Sequence, residues 1–313
     1  VHAAEHVVGV VAPYLEVLQS MGGRRALFPP GADGPPCLFL AATGGSERAL
    51  LDSWAGRGPL FLVAHPGHNS LPAALEALAA VGSSGGRGRI LYFRSPDDAA
   101  AHAAVEAAVA GLEAAAALRR ARLGVVGAPS DWLVASLADP GEVRRVWGPE
   151  VVTLGMDRLL PACRAAAVEG AAGGGVEAAL RALVRTERLD AVTVRCFDLI
   201  GALQATACPA LSALNDEGVV GGCEGDVPAA LAMLWVRLLL GSASWMANPA
   251  RLDAAAGTVT LAHCTVPRSL VGAVRTTTHF ESGLGEALAG EFTPGPGTLL
   301  RLGRGRLERL WLQ

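Results

Sequence analysis

Between Cys208 and Leu234 the chain reads CPALSALNDEGVVGGCEGDVPAALAML, and around its short glycine-rich centre gather Asn215, Asp216, Glu217, Glu224 and Asp226 in surroundings of Ala, Leu and Val. The pattern predicts the end of a helix, a short strand, and the start of another helix. Carboxylates collected at strand ends are candidates for metal ligation or acid/base work. Asp226 suits the N-cap of the following helix, and Glu217 is a reserve carboxylate at a helix end. Downstream, the period-2 rule applied to TVTLAHC puts Val259, Leu261 and His263 on one face. His263 then points inward with the apolar set, where a hydrogen-bonded core histidine is the ordinary expectation. In THFES the same rule puts His279 and Glu281 on one face. That pair suits a metal, sugar hydroxyls or a solvated ion pair, and the spacing alone leaves the choice open.

The elements that must position these residues alternate in the first two thirds of the chain. Val7 to Val11 reads as a strand fragment and Tyr14 to Met21 as a helix, while CLFLAA (37 to 42), LFLVAH (60 to 65) and ILYF (90 to 93) are apolar runs of the buried parallel type. Thr43 to Glu47 forms a strand-to-helix turn with Ser46 as N-cap. Thr43, His68 and Asn69 would line the crevice beyond the strand ends, with helix capping and corner turning as their alternative duties. A long Ala-rich helix from Asp97 to Arg122 carries the boundary to a second set, RLGVVG (122 to 127), EVVTLG (150 to 155) and AVTVRCF (191 to 197). Ala128, Pro129, Ser130 and Asp131 are expected to lead into a helix through Trp132, and Gly173 to Gly175 to break the helices between Arg158 and Leu189. Beyond Gly241 the style changes to short β-like runs, SWMA, TVTLAHC, AVRTTTHFES and GTLLRL, punctuated by Asn-Pro and Pro-Gly-Pro. The fold class is therefore α/β: two doubly wound, Rossmann-like parallel-sheet domains, 1–121 and 122–241, followed by a β-rich C-terminal portion, 242–313.

Composition narrows the function classes. The 313 residues are 51% hydrophobic and 18% charged, with net charge −3, a globular profile. Every basic residue is Arg, and these are scattered, so the footprint of a nucleic-acid binder is absent. No GxGxxG or Walker pattern marks a nucleotide site. The six Cys lack CxxC spacing and scaffold density, which predicts reduced, mostly buried thiols in a cytoplasmic protein. The first residues, VHAAEH, do not read as a signal peptide. Val227 to Met246 is long enough to span a membrane but carries Arg237 at its middle, so a buried core helix is expected and no membrane association.

The motifs CFDL, LNDEG, CEGD, WMANP, LAHCTVP and THFESG, with TGGSE, HNSLPAALE and RLGVVGAPSDWL earlier in the chain, resemble the L-fucose isomerase and L-arabinose isomerase superfamily, in particular its fucose-isomerase-like members. The resemblance covers most of the chain. It implies a cytoplasmic, Mn²⁺-dependent aldose–ketose isomerase, assembled as a homo-oligomer and acting on a small-molecule sugar. Such a reaction moves a carbonyl between C1 and C2 through an enediol, which needs a base and a cation that stabilises the developing oxyanion. Glu224 matches the family's metal-binding and acid/base glutamate. Asn248 falls where the fucose branch has an anionic metal ligand, and His263 matches a histidine of the metal shell in the arabinose branch. Thr43, His68, Asn69, His279 and Glu281 remain as substrate-binding candidates. The family's last metal histidine comes from a later segment that no residue here matches. With Asn248 neutral, weak divalent-metal binding and poor turnover are expected, and a catalytically silent sugar-binding relative is the alternative.

Overall fold

The computed structural model describes residues 4–23, 37–56, 58–170, 175–303 and 310–312. The expected break at Gly173 and Gly174 lies outside these residues. The chain divides into two compact units, Val1–Ala116 and Ala117–Gln313.

The first unit contains α1 (Ala4–Ser20), β1 (Phe39–Leu40), α2 (Glu47–Trp54), β2 (Leu60–Ala64), α3 (Ser70–Ser83), β3 (Gly88–Tyr92) and most of α4 (Ala99–Arg120). These strands are parallel in the order β1-β2-β3. Alternation along β2 feeds two cores. Leu60, Leu62 and Ala64 pack with Leu50, Ala74, Ala77 and Val81, whereas Val63 packs with Tyr14, Leu91, Phe93, Ala101 and Val105. A sheet covered on both faces needs apolar residues at successive positions, which is why LFLVA is uninterrupted. The expected strand at Val7–Val11 is instead part of α1. Val11 and Tyr14 are buried and Leu18 packs beside them, a helical i, i+3, i+7 stripe that a five-residue apolar window could not separate from a strand. Ser46 holds the N-cap position of α2, but its hydroxyl donates back to the Thr43 carbonyl (2.7 Å) rather than accepting from the helix.

The second unit opens with β4 (Arg122–Val126), α5 (Pro140–Val146), β5 (Glu150–Leu154), α6 (Met156–Val168), α7 (Val176–Glu187), β6 (Ala191–Val194), α8 (Cys196–Leu203), α9 (Cys208–Glu217), β7 (Val220–Cys223) and α10 (Val227–Leu240). Its strands form a parallel sheet in the order β5-β4-β6-β7, so the winding reverses beside β4. The helix expected through Trp132 does not form. Residues 128–139 are irregular, and α5 starts at Pro140, where Asp139 caps it by accepting from the Glu142 N–H (2.8 Å). An Asp-Pro pair fixes a helix start better than an apolar run can. The expected strand AVTVRCF ends at Val194, and Cys196 and Phe197 already belong to α8.

Antiparallel hairpins follow among the described residues: β8 (Asn248–Asp253) with β9 (Thr258–Ala262), β10 (Ala273–Thr278) with β11 (Glu286–Glu291), and β12 (Leu300–Leu302) with β13 (Leu310–Leu312). Two expectations need correction here. SWMA lies outside any strand, and Asn248-Pro249, read from sequence as punctuation, begins β8 at a register shift, a place where the missing N–H of Pro is tolerated. THFES is not continuous strand either. β10 ends at Thr278, and His279 to Gly283 turn back, closed by the Gly283 N–H donating to the His279 carbonyl (2.8 Å).

Helix α10 packs most of its N-terminal two thirds, Val227 to Leu234, into the main core. Among the described residues, α4 is the helix long and apolar enough to cross a membrane by length and composition. Its Ala101, Val105 and Ala108 pack in the core of the first unit and its Leu118 in that of the second.

Candidate functional site

Strand β7 is an edge strand, and the sequence holds its position with an amide. Asn215, buried in α9, donates from Nδ2 to the Leu211 and Gly221 carbonyls (both 2.9 Å) and accepts from the Gly221 N–H (3.0 Å). It pairs with the strand edge as a neighbouring backbone would. Gly221 is required there, since a Cβ would lie 2.6 Å from the Leu211 carbonyl oxygen. The strand therefore delivers its last residues at a fixed place, with Asp226 capping α10 by accepting from the Ala229 N–H (2.8 Å).

Between that strand and that cap sits Glu224, with φ at +63°. A non-glycine residue in the left-handed region is uncommon and signals local constraint. Two contacts with the 128–139 loop hold it. Its carbonyl accepts from the Ser130 N–H (2.9 Å), and its Oε2 accepts from the Trp132 indole N–H (2.9 Å). Gly225, at φ +69°, must follow, because a Cβ there would meet the Ala128 carbonyl oxygen at 2.4 Å.

Glu224 opens onto a cavity of about 210 Å³ whose wall also includes Asn248, His263, His279 and Glu281. Five residues singled out from sequence thus converge from four segments: the end of β7, the start of β8, the residue after β9, and the turn after β10. His263 and Glu224 are half-buried and His279 is buried, while Asn248 and Glu281 lie exposed at the rim. Cys196, Cys223, Cys264, Phe197, Phe280, Ala250 and Ala262 fill the rest. The aromatic rings make edge and stacked contacts: Trp132 to Phe197 at 5.0 Å, Phe197 to His279 at 5.7 Å, and His279 to Phe280 at 5.6 Å between centroids.

Electrostatics within the cavity are coupled. Burial alone would push the His263 imidazole down, but the adjacent Cys264 sulfur and the carboxylates of Glu224 and Glu281 outweigh it and leave its pKa raised. Its Nδ1 lies 3.1 Å from Thr265 Oγ1. The Cys264 thiol is pulled down, first by the hydrogen bond from Cys208 and then by Cys223 and His263. Asp226 is raised by burial, which suits a cap rather than a permanently charged ligand.

The remaining candidates lie in the first unit. Thr43, His68 and Asn69 come together at the ends of β1 and β2, where the Gly44 N–H donates to the His68 carbonyl (2.8 Å) and His68 and Asn69 turn the chain at φ +53° and +58°. Asn69 occupies the N-cap position of α3 without a side-chain cap bond. Sequence reasoning missed His65 there. It is buried and stacked on Tyr14 at 4.7 Å, with Nδ1 accepting from the Gly67 N–H (3.2 Å) and Nε2 donating to the Ala42 carbonyl (3.1 Å). Also missed were Trp132, Phe197 and the cavity cysteines, whose role depends on tertiary convergence; the local signal was their presence in PSDWL, CFDL, CEGD and LAHCTVP.

No family model matches the chain. It is similar to curated sulfoquinovose isomerases: 26% identical over 196 residues to one from Alkalicoccus urumqiensis, an alignment covering 55% of this chain and 44% of that protein. Shorter matches are 31% identical over 83 residues to one from Priestia aryabhattai, covering 26% of this chain and 19% of the relative, and 34% identical over 82 residues to one from Clostridium sp. (strain MSTE9), covering 26% and 18%. The chain thus aligns with less than half the length of the relatives it matches. Its relationship is to sugar isomerases.

Proposed function

We propose that this chain carries the reaction cavity of an aldose–ketose isomerase, with Glu224 as the group that moves a proton between C2 and C1 of an open-chain sugar. The observation that carries the reading is the convergence of Glu224, Asn248, His263, His279 and Glu281 on one cavity. At about 30 Å³ per water, the cavity equals roughly seven waters, the size class of one monosaccharide. Glu224 is held in place for proton transfer, because the Trp132 indole N–H donates to Oε2 and Oε1 is left over for a ligand. A carboxylate so placed takes the proton from C2 as O1 gains a proton and the C1 carbonyl becomes the enediol, and returns it to C1 as O2 loses its proton and the C2 carbonyl forms. The proton leaving O2 replaces the one gained at O1, so no oxidant or reductant is consumed. His279 and Glu281 supply hydrogen bonds to sugar hydroxyls, and the faces of Phe197 and Phe280 cover its C–H surface.

Glu224, Asn248 and His263 offer a carboxylate oxygen, an amide oxygen and an imidazole nitrogen. That set fits a divalent cation such as Mn²⁺ in donor type, with a single anion to hold it. When bound, the cation would polarise the sugar oxygens at C1 and C2. Among the described residues, the lining contains no Arg. This wall therefore suits the uncharged polyol part of a sugar, and the anion of a sulfonated substrate such as sulfoquinovose would have to be held by other residues.

The neutrality of Asn248 favours a second reading, a sugar-binding relative without turnover. One experiment separates the two: incubate the protein with a panel of aldoses, sulfoquinovose included, in D2O with and without Mn²⁺, and follow deuterium at carbon together with ketose formation. Exchange and ketose for at least one sugar, both lost in Glu224→Gln, are expected. Sugar binding without exchange would establish the silent relative, and neither binding nor exchange would overturn both readings.

A further inference from the structure

At and just behind the cavity wall lies a second group of donors of a different chemical kind. Cys208, Cys264 and His279 each present a ligand atom within 4.8 Å of the other two, and all three are buried. They arrive from separate places: Cys208 opens α9, Cys264 follows β9, and His279 follows β10. The Cys208 and Cys264 sulfurs are 3.2 Å apart. His279 Nδ1 lies 2.9 Å from Ser282 Oγ. Nδ1 also accepts from the Ser282 N–H (3.3 Å), which orients the ring with its proton on Nε2, so ligation through Nε2 needs that proton to move to Nδ1, where the Ser282 hydroxyl can accept it.

We propose that Cys208, Cys264 and His279 form a site for a thiophilic divalent cation of the Zn²⁺ class, distinct in its donors from Glu224, Asn248 and His263. Softness separates the two sets. Two thiolates and an imidazole select Zn²⁺ or a similar ion, whereas carboxylate and amide oxygens select Mn²⁺ or Mg²⁺. The geometry needs little adjustment. Two sulfurs bonded to one tetrahedral Zn²⁺ at about 2.3 Å lie about 3.8 Å apart, so the sulfurs must part by roughly half an ångström. Binding releases the two thiol protons to solvent. Cys264 and His279 both line the cavity, which supplies an entry path. Three protein ligands with one open position is the pattern of a reactive or regulatory zinc site rather than a closed structural one. An ion held there would share His279 with the sugar-binding wall, so occupancy and sugar binding should compete.

The test uses the whole chain, reduced and stripped with a chelator, and Co²⁺ and Zn²⁺ alone as probes. One equivalent of Co²⁺ should give a sulfur-to-metal charge-transfer band, and Zn²⁺ should displace it. Cys208→Ala and Cys264→Ala should each weaken Zn²⁺ binding by about 100-fold or more, and His279→Ala by roughly 10- to 100-fold, in line with the loss of a ligand. Cys163→Ala, a buried thiol in α6, should change nothing. Glu224→Gln should keep the band, so failure of the isomerase reading would not be mistaken for failure of this one. X-ray absorption on the Zn²⁺-loaded wild type needs no variant and should show two sulfurs at about 2.3 Å and nitrogen at about 2.0–2.1 Å. A shell of oxygen and nitrogen alone, no charge-transfer band, or a band that survives loss of both Cys208 and Cys264 would overturn the proposal.

Discussion

The strand ends of the first unit and those of the second carry polar residues at the same topological place, and they use them differently. Beyond β1 and β2 the side chains of His65 and Ser70 are taken up by nearby backbone. Ser70 donates to the Ala41 carbonyl and accepts from the His65 N–H, and His65 uses both ring nitrogens on neighbouring main-chain groups. At the end of β7 the carboxylate of Glu224 faces a cavity, together with the imidazoles of His263 after β9 and His279 after β10. A polar residue at a strand end is thus only an opportunity. It becomes a candidate for chemistry when packing fixes it and leaves atoms over for a ligand.

The largest effect that would sharpen this contrast is expected from Glu224→Gln. Loss of a general base costs about 10²- to 10⁴-fold, so isomerisation should fall by roughly 10³-fold in kcat/KM while the unfolding midpoint stays near wild type. Retained turnover would move the catalytic role elsewhere on the wall. In the first unit the effect should appear in stability instead. Ser70→Ala leaves a buried carbonyl and a buried N–H without their hydroxyl partner, a loss of about 1–3 kcal/mol read by denaturant unfolding. At temperatures where the variant is folded, deuterium exchange into the sugar should be unchanged. If Ser70→Ala abolished exchange without unfolding, the first unit would have a direct part in the reaction. Smaller again is the effect of Asn248→Asp, which restores an anionic donor at the cavity rim. It should raise Mn²⁺ affinity about tenfold, near 1.4 kcal/mol, and leave the thiol-dependent Co²⁺ band unaffected. Equal affinity would show that Asn248 stands outside the cation's reach.

Much of this arrangement is legible in the chain because local chemistry enforces it. The strand VGGC between two helices, Asp226 as cap, and the uninterrupted apolar strands all follow from rules that act over a few residues. What local rules cannot supply is convergence. The grouping of Glu224 with His263 comes from the family resemblance and not from spacing. A period-2 argument puts His279 and Glu281 together, and it does not hold, since β10 ends at Thr278 and a turn brings both to the wall. Trp132 reaches Glu224 across 92 positions of sequence, and Cys208 meets Cys264 across 56. No short window of sequence contains such pairs. The helix at Val7–Val11 escapes sequence reading for the opposite reason: the window is too short to show a 3.6-residue period.

The smallest effect concerns the two carboxylates that flank β7, and it tests the contrast most narrowly. Sequence alone sets Glu217 beside Glu224 as a reserve carboxylate, but the structure turns it away from the cavity. Arg181 in α7 reaches both Glu217 (2.6 Å) and Glu177 (3.0 Å from Nε), and all three side chains are partly exposed. The guanidinium holds the Glu217 carboxyl below its usual range. A lowered folded-state pKa means that the pair's contribution is complete above the unfolded carboxylate value and is lost as pH falls through the lower folded one. Exposure and salt limit that contribution to about 0–1 kcal/mol. Glu217→Gln should therefore shift stability at neutral pH by less than about 1 kcal/mol, remove part of the acid sensitivity, and leave sugar isomerisation within about twofold of wild type. Glu217 and Glu224 would then differ by some three orders of magnitude in their effect on catalysis, because one is paired with an arginine in α7 and the other is held by a tryptophan at a cavity wall. Should Glu217→Gln also abolish isomerisation while the fold persists, the assignment of the reaction to the Glu224 cavity would have to be abandoned.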